Sequence, residues 1–444
     1  MSLVSFSSGQ LAQYVSGKLI GRDDVVCLGA EIDSRQPIEG KVFFALHGEH
    51  ADGHDFVEMA AQNGCSAVVV ERSYEVSVPV IVVRDVRKAL YDLAKARRVE
   101  LNCDAVIAVT GSVGKTTTKD ILACLLGDRV VASRNSFNND LGVPITVLDA
   151  EGAQFLVAEI GANEVGEIEP LAALVQPDIA ILTSIGEAHL EGFGDRKTIL
   201  QEKAKLLEAV PKDGYVIVPE TIDLASTNIS ALIVTVGEST SADIQVSMGI
   251  DEFGFATLSM HGEEVKLSLL GQHNAMNAAL GIVAASYANQ EVSISELLVR
   301  VCNAGAPKGR LRKVEVGEIV FLDDAYNANP TSMRSALELF SGLKANRKVM
   351  ILGDMLELGT SSHSEHRLLA GVIEKADADL IVLVGKEMKA AVGSSAAICV
   401  ENINDLQSIT SLLRPRDLVL LKGSRGLCLE KIIDSCRQTK VLEH

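Results

Sequence analysis

The sequence lacks an excess of positive charge. It has 41 lysines and arginines against 59 aspartates and glutamates, which gives a formal net charge of -18 at pH 7. Sequence-independent binding of nucleic acids depends on basic patches that displace counterions from the phosphates. The charge balance provides no such patch, so we predict no nucleic-acid partner.

The sequence also lacks paired cysteines and long apolar segments. The eight cysteines are scattered without a C-x-x-C pair, so neither a zinc knuckle nor a disulfide framework is indicated. No apolar run approaches the ~18 residues that a membrane span requires. The opening MSLVSFSSGQ lacks the charged-then-apolar order of a signal peptide. We therefore predict a protein of the reducing cytoplasm without a membrane span.

The order of sequence patterns predicts an α/β protein. A chain of 444 residues with 47% hydrophobic side chains is long enough for roughly three domains at ~150 residues each. Strand-like runs such as SAVVVER alternate with helical patterns, and the buried run AVIAV leads through a glycine loop into the helix KTTTKDILACLLG. The segment from 240 to 270 alternates polar and apolar residues, which indicates antiparallel hairpins.

These patterns divide the chain into three predicted domains. Residues 1–84 form a small α/β domain, and residues 85–308 form a central P-loop domain. Its sheet is mostly parallel, because its buried strands alternate with helices, and the hairpins are appended to it. Residues 309–444 form a C-terminal, Rossmann-like α/β domain.

The glycine loop TGSVGKTTT departs from the usual G-x-x-x-x-G-K-[ST] pattern. Val109 stands where the first glycine is expected, and Gly111 is an additional glycine. The loop still keeps the parts that bind a phosphate, since glycines allow close backbone approach and a helix begins at the lysine. A simple strand-to-helix turn would not need a lysine followed by three threonines. We predict a nucleotide site formed by Gly111, Ser112, Val113, Gly114, Lys115, Thr116 and Thr117.

Two further side chains follow predicted strands and are candidates for metal ligation. Glu159 ends the run FLVAE, and His189 follows the run DIAIL. The carboxyl ends of neighbouring parallel strands lie at one edge of a sheet, where a bound nucleotide and its metal are expected. A solvated glutamate and a packed or surface histidine are the ordinary alternatives.

Several motifs together resemble those of the Mur ligase family, which consists of ATP-dependent amide-forming ligases. The motifs occur in the family order over nearly the whole chain: TGSVGKTTTKD, SFNNDLGVP, AEIGANEVGEI, GEAHLEGFG, GQHNAMNAA, DDAYNANPTSM, LGDMLELG and KGSRG. The family also uses the shortened loop. The resemblance implies that ATP phosphorylates a substrate carboxylate and that an amine then displaces the phosphate.

The resemblance assigns roles around the nucleotide. Lys115 would bind the phosphates, Thr116 and Glu159 one Mg²⁺, and His189 a second. Asn277 would contact adenine, Arg310 the phosphates and Asp324 the ribose, with Lys115, His189 and Arg310 contributing to catalysis. Taken singly, the last three would be explained by a helix-face asparagine and by polar residues at strand ends, and it is their occurrence in the family order that favours the assigned roles.

A lysine in the segment TILQEKAKLLEAV completes the implied catalytic set. Relatives in the family have a lysine here whose amine has reacted with CO₂, and the resulting carbamate binds the second Mg²⁺. Lys203 is the residue we assign, and Lys205 is a competing register. The alternative is a solvated lysine on an amphipathic helix.

Three polar segments are candidates for the other substrates. By resemblance, Ser34 and Arg35 bind the diphosphate of a UDP-sugar peptide, Arg35 through charge-assisted hydrogen bonds. Asn138, Asn139 and Asp140 suit sugar or peptide amides, although turn formation also explains them. A loop containing Lys422, Ser424 and Arg425 follows a buried strand. It could hold the carboxylate of an incoming dipeptide, but a helix-start loop explains it nearly as well.

Missing motifs narrow the choice within the family. The ligases for the first two amino acids carry a G-x-G-x-x-G fingerprint near the N-terminus, and the ligase for the third carries D-N-P-R; this sequence has neither. We therefore favour the reaction that joins D-alanyl-D-alanine to UDP-N-acetylmuramoyl-tripeptide, in a monomer. The third-residue ligase is the alternative within the family. A P-loop small-molecule kinase is the alternative from another class.

Overall fold

Three β-sheets form the framework of the protein. The computed structural model describes residues 5–48, 51–186, 190–392, 398–403 and 406–441. The main sheets contain five, nine and six strands, and each lies within one of the three predicted domain ranges. Among the described residues, no helix is both long enough and apolar enough to cross a membrane.

The N-terminal sheet has the strand order β2-β7-β6-β5-β4. Within this sheet only β2 runs antiparallel to its neighbour. All side chains of β5 and β6 are buried, which shows that both faces of the sheet are covered at these strands. Strands β1 and β3 form a separate pair. The elements are β1 Phe6–Ser7, α1 Ser8–Tyr14, β2 Lys18–Ile20, β3 Val26–Cys27, β4 Ala30–Glu31, β5 Val42–Phe44, α2 Val57–Gln62, β6 Ala67–Val70, β7 Val80–Val82 and α3 Val86–Glu100.

The central sheet has β8 between β10 and β11, the arrangement that places the glycine loop beside two other strand ends. Strands β8 to β14 are parallel, and β14, β15 and β16 form the antiparallel hairpins expected from their alternating pattern. The elements are β8 Ala105–Thr110, α4 Lys115–Leu126, β9 Val130–Ala132, α5 Gly142–Asp149, β10 Phe155–Glu159, α6 Ile168–Val175, β11 Ile179–Leu182, α7 Leu190–Phe193, α8 Arg196–Glu208, β12 Tyr215–Pro219, β13 Leu232–Gly237, β14 Ile244–Ile250, β15 Phe255–Met260, β16 Glu263–Leu270, α9 His273–Ala288 and α10 Ile294–Val301.

The C-terminal sheet has the order β17-β18-β22-β19-β20-β21, in which only β17 is antiparallel to its neighbour. The three-domain α/β prediction is therefore confirmed. The elements are β17 Arg312–Val316, β18 Ile319–Asp324, α11 Pro330–Gly342, β19 Arg347–Gly353, α12 Ser362–Ile373, β20 Leu380–Val384, α13 Lys386–Val392, β21 Ile398–Val400, α14 Leu406–Thr410, β22 Asp417–Lys422 and α15 Lys431–Val441.

Apolar packing between sheets positions the site. Residues of the N-terminal and central regions share one core, which includes α3 side chains such as Leu90 and Leu93. Leu270, at the end of the central hairpins, is buried with Leu339 of α11 in a core of the C-terminal region. Because separating these apolar side chains would expose them to water, the hairpins hold the C-terminal domain against the central domain.

Candidate active site

A cavity of about 690 Å³ is lined by residues of both the central and the C-terminal regions. Its wall contains the glycine loop, residues 138–140 and several residues that follow C-terminal strands. The predicted site residues that line it are Ser112, Val113, Gly114, Lys115, Thr117, Asn138, Asn139, Asp140, Asn277, Arg310, Asp324 and Lys422. The fold therefore brings together most of the residues selected from the sequence.

The two glycines of the loop are required by its geometry, whereas a glycine at position 109 is not. Gly111 has a φ of +151°, and a Cβ there would lie 2.0 Å from Thr183 Oγ1. Gly114 has a φ of +93°, and its Cβ would lie 2.6 Å from Asn277 Oδ1. Both positions favour the residue without a Cβ. Val109 is a fully buried residue of β8, and its side chain packs in the hydrophobic core.

The segment after β11 holds the loop in place, a role that sequence reasoning missed. Thr183 Oγ1 donates to the Val113 carbonyl at 2.5 Å, and Ser184 Oγ accepts the Val113 N–H at 2.9 Å. Ser112 Oγ accepts the Gly186 N–H at 2.9 Å. The only sequence signal was the pair of hydroxyl residues directly after a buried strand. These bonds fix a loop whose backbone must point at an anion.

Lys115 provides a partly buried cation at the start of α4. Its Nζ donates to the Gly111 carbonyl at 2.7 Å. Burial lowers the pKa of Lys115 to about 8, against the opposing effect of the Glu159 carboxylate. A buried cation is costly without an anion, so a bound phosphate would relieve this cost.

Glu159 and Thr116 are two buried oxygen-bearing residues close to Lys115. Glu159 is fully buried, and its Oε1 accepts a hydrogen bond from Asn138 Nδ2 at 2.8 Å. Its Oε2 has no hydrogen-bond partner among the residues that the structure describes. Thr116 is also buried, with its hydroxyl 3.1 Å from Arg310 Nη2. A carboxylate and a hydroxyl are ligands that Mg²⁺ accepts, so these residues fit the ion.

Lys203 lies inside the protein, so the solvated-lysine alternative is wrong. It is only 2% exposed on α8. Burial, followed by the charge of Lys115, lowers its pKa to about 7. Lys205 instead forms an ion pair with Glu202 at 2.6 Å. His189 lies outside the described residues, so its predicted role stays a prediction.

Arg310 reaches the phosphate loop from the C-terminal side. In addition to its bond with Thr116, its guanidinium lies 4.3 Å from the ring centroid of Tyr326, and that of Arg425 lies 5.9 Å from the same ring. Cations attract the face of an aromatic ring, so Tyr326 orients Arg310. The sequence motif DDAYNANP contained this tyrosine without indicating its role.

Asp324 and the buried Lys422 form an ion pair at the ends of β18 and β22. Lys422 Nζ donates to Asp324 Oδ2 at 2.6 Å, and Asp324 Oδ1 accepts the Leu311 N–H at 3.0 Å. The arrangement ties the strand end to the segment that carries Arg310. Ser424 is buried and its hydroxyl accepts the Leu356 N–H, whereas Arg425 is exposed and pairs with Glu430.

The predicted substrate residues of the N-terminal region lie apart from the main cavity. Neither Ser34 nor Arg35 is among its lining residues. Arg35 is exposed and donates to Asp33 at 2.8 Å, while Asn63 donates to the Ser34 carbonyl at 3.1 Å. Both remain predictions as contacts of a diphosphate.

The loop of residues 138–140 combines turn formation with exposed polar groups. Asn139 Oδ1 accepts the Gly142 N–H at 2.9 Å, as the turn alternative predicted. Asn138 contacts Glu159, and Asp140 forms an ion pair with Arg87 of α3. The loop thus runs from the buried Glu159 carboxylate to an exposed charge pair.

A group of N-terminal residues resembles a metal site but does not fit one. Ligand atoms of His47, Asp52 and His54 lie within 4.8 Å of one another. His54 Nε2 accepts the Glu71 N–H at 3.1 Å, so His54 Nδ1 carries the proton that bonds Asp52 at 2.7 Å. A metal at either His54 nitrogen would displace one of these bonds. The group therefore fits a hydrogen-bonded loop.

The glycine loop and the fold define an α/β protein of the P-loop class, and comparisons with known proteins specify it further. Family models match residues 29–102 (Mur ligase family, catalytic domain), 109–285 (Mur ligase middle domain) and 309–425 (Mur ligase, glutamate ligase domain). The chain belongs to the Mur ligase family, as its motifs predicted.

Similar proteins match over almost their full length. A Haemophilus influenzae protein named UDP-N-acetylmuramoyl-tripeptide--D-alanyl-D-alanine ligase is 33% identical, with 98% of this chain and 99% of the relative covered. The Bacillus subtilis protein of that name is 34% identical, with 95% and 96% covered.

Solved structures of the family have the same fold as this chain. MurF from Acinetobacter baumannii has a TM-score of 0.85 at 33% identity, with 99% of this chain and 100% of that chain covered. MurF from Thermotoga maritima in complex with ADP has a TM-score of 0.78 at 25% identity, with 92% and 97% covered.

Proposed function

We propose that this protein joins D-alanyl-D-alanine to UDP-N-acetylmuramoyl-tripeptide, with conversion of ATP to ADP and phosphate, in peptidoglycan precursor synthesis. The names of the full-length relatives support this reaction. The observation that carries it is the cavity in which Lys115 and Arg310 face a substrate-sized space beside residues 138–140. We further propose that it acts as a cytoplasmic monomer.

The reaction needs an activated carboxylate. The C-terminal carboxylate of the tripeptide attacks the γ-phosphate of ATP, which releases ADP and forms an acyl phosphate. The amine of the dipeptide then attacks the acyl carbon, phosphate leaves, and the amine loses a proton. Lys115 and Arg310 stabilise negative charge on the transferred phosphoryl group, because both cations lie at the phosphate loop in partly buried positions.

Thr116 and Glu159 are the residues that would hold Mg²⁺. The ion, when bound, neutralises charge on the phosphate oxygens. The unpartnered Glu159 Oε2 supports this assignment, because a buried carboxylate oxygen needs a cation or a donor. Asn277 and Asp324 are assigned to adenine and ribose; both line the cavity, and the ADP complex of the Thermotoga maritima relative supports nucleotide binding.

Lys203 is proposed as a carbamate. Its neutral amine attacks CO₂, a new N–C bond forms, and one proton is released, so a cation becomes an anion. Burial holds its pKa at about 7, which makes the neutral amine available near neutral pH. The anion would then suit a second metal ion, which an ammonium would repel.

Product analysis tests the proposed reaction. The protein is incubated with ATP, Mg²⁺, the UDP-tripeptide and D-alanyl-D-alanine, and each component is omitted in turn. We expect phosphate release to require both substrates and mass spectrometry to detect the UDP-pentapeptide. A stable phosphorylated product formed without the dipeptide would instead indicate a kinase. Addition of a free amino acid to a UDP-dipeptide would indicate the third-residue ligase.

A further inference from the structure

An ion pair between Arg87 and Asp140 lies in the wall of the main cavity. Arg87 is on α3 and Asp140 is on the loop before α5, so the pair joins segments 53 residues apart. The side chains are 53% and 50% exposed. Exposed ion pairs contribute little to stability because water screens them. The pair is therefore available to a ligand without a large cost to the fold.

The pair lies within reach of the reacting end of the tripeptide. Asn138 Nδ2 is 2.8 Å from the carboxylate of Glu159, the proposed metal ligand. Asp140 follows two positions later, and two residues span at most about 7 Å. A diaminopimelate side chain places its second α-carbon four carbon–carbon bonds from the first, about 5 Å when extended. A residue whose α-carboxylate reacts near Glu159 can thus extend its far end to the pair.

The charges of the pair match diaminopimelate better than lysine as the third residue of the tripeptide. The far end of diaminopimelate has an ammonium and a carboxylate, whereas lysine has only an ammonium. Arg87 offers a planar donor group for the carboxylate, and Asp140 accepts from the ammonium. The other lysines and arginines among the described lining residues are Lys115, Arg310 and Lys422, which belong to the phosphate loop and the C-terminal domain. Arg87 is therefore the cation beside this part of the peptide.

We propose that the Arg87–Asp140 pair binds the distal amino-acid group of diaminopimelate and selects it over lysine as the third residue of the tripeptide. The inference rests on the proposed ligase function and specifies its substrate. Binding exchanges one exposed ion pair for two charge-assisted contacts. A lysine side chain leaves the guanidinium without its carboxylate, so selectivity arises from the missing contact.

Steady-state kinetics with two substrates test the inference. The kcat/KM for UDP-tripeptides ending in diaminopimelate or lysine is measured for the parent enzyme, Arg87→Met, Arg87→Glu and the exposed control Arg22→Met. We expect the parent to prefer diaminopimelate and Arg87→Met to lose about 10- to 100-fold with that substrate, the range for a hydrogen-bonded charge. Its kcat/KM with the lysine peptide should not fall. Arg87→Glu should prefer lysine, and Arg22→Met should match the parent.

Two results would overturn the inference. A parent enzyme that uses both tripeptides equally has no such selectivity. An Arg87→Met variant that loses the same factor with both substrates would show that the pair only holds the loop, and unaltered ATP affinity would confirm that the nucleotide end is intact. Failure of the parent to form dipeptide-dependent product with either tripeptide would instead overturn the proposed ligase function itself.

Discussion

Charged side chains are buried at the phosphate-loop end of the site and exposed at the end that contains Arg87 and Asp140. At the phosphate loop, Glu159 and Lys203 are buried, and Glu159 Oε2 and Arg310 Nε have no partner among the described residues. At the peptide end, Arg87 and Asp140 are half exposed and pair with each other. Buried, incompletely paired charges are unfavourable until a ligand completes them. The nucleotide end is therefore organised for catalysis, and the peptide end for selection.

Substitutions at the two ends should therefore affect stability and activity differently. Removing a charge from the nucleotide end removes an unfavourable buried group, so activity falls while the fold need not weaken. Removing an exposed charge changes neither the core nor the chemistry and acts only on the ligand that it contacts. Substitutions at the two ends should separate these effects.

The largest effect is expected for Lys115→Met. Loss of the cation at the phosphoryl group should lower kcat by about 100- to 1,000-fold, the range for removing one preorganised stabilising group. Urea unfolding should show stability no lower than that of the parent, because burial already disfavours this cation. Near-normal turnover would exclude the loop lysine from the mechanism. The exposed Lys313→Met serves as a control.

A smaller loss is expected for Lys203→Ala. Without the carbamate, kcat should fall by about 10- to 100-fold or more. This range is typical of changes to the residues that support a metal site. A small carboxylic acid that fills the vacated space should restore part of the activity. Lys205→Ala, its neighbour on α8, should remain active because that lysine pairs with Glu202. Inactivation confined to Lys205→Ala would reverse the assignment.

Arg134 tests a contact between the N-terminal and central domains. It donates to the buried Glu31 of the N-terminal sheet at 2.8 Å and pairs with Asp149 at 2.6 Å, and Glu31 also accepts the Ile32 N–H. Arg134→Met leaves the Glu31 carboxylate short of a donor and should lower the free energy of unfolding by about 1–3 kcal/mol.

The double variant Glu31→Gln with Arg134→Met provides the check on Arg134. Since the glutamine is uncharged, much of the lost stability should return. Equal loss in the single and double variants would show that the charge of Glu31 is not the cause. The exposed control Arg22→Met should change stability by less than about 0.5 kcal/mol.

The lowered pKa values of two lysines should also make the stability of the protein depend on pH. Burial lowers the pKa of Lys203 to about 7 and that of Lys115 to about 8, both from 10.5. Between the folded and unfolded pKa values the unfolded chain binds more protons, so the free energy of unfolding should rise with pH above about 7. Each lysine contributes at most about 1.4 kcal/mol per pH unit.

Urea unfolding from pH 6.5 to 9.5 in CO₂-depleted buffer measures this dependence. Lys203→Met should show a smaller rise across the range than the parent, because one of the two amines with a lowered pKa is absent. An identical rise in both proteins would mean that Lys203 is not buried as a titrating amine.

Local sequence patterns determined much of the fold. The periodicity of buried runs predicted the parallel sheets, the alternation from 240 to 270 predicted hairpins β14 to β16, and TGSVGKTTT predicted the nucleotide loop. These signals are local because helix and strand periods, and the conformational freedom of Gly111 and Gly114, act within a few residues. The ordered motifs predicted the family, which the comparisons confirm. The domain boundaries and the ligand contacts stay predictions.

Only the tertiary structure decided which distant residues meet. It joined Ser184 to Val113 across 71 positions, Arg310 to Thr116 across 194, Arg134 to Glu31 across 103 and Arg87 to Asp140 across 53. It also placed Lys203 in the interior and Lys205 beside Glu202, a choice that their shared residue type left open. Such contacts depend on how sheets and helices pack, and packing is a property of the whole chain that no local period encodes.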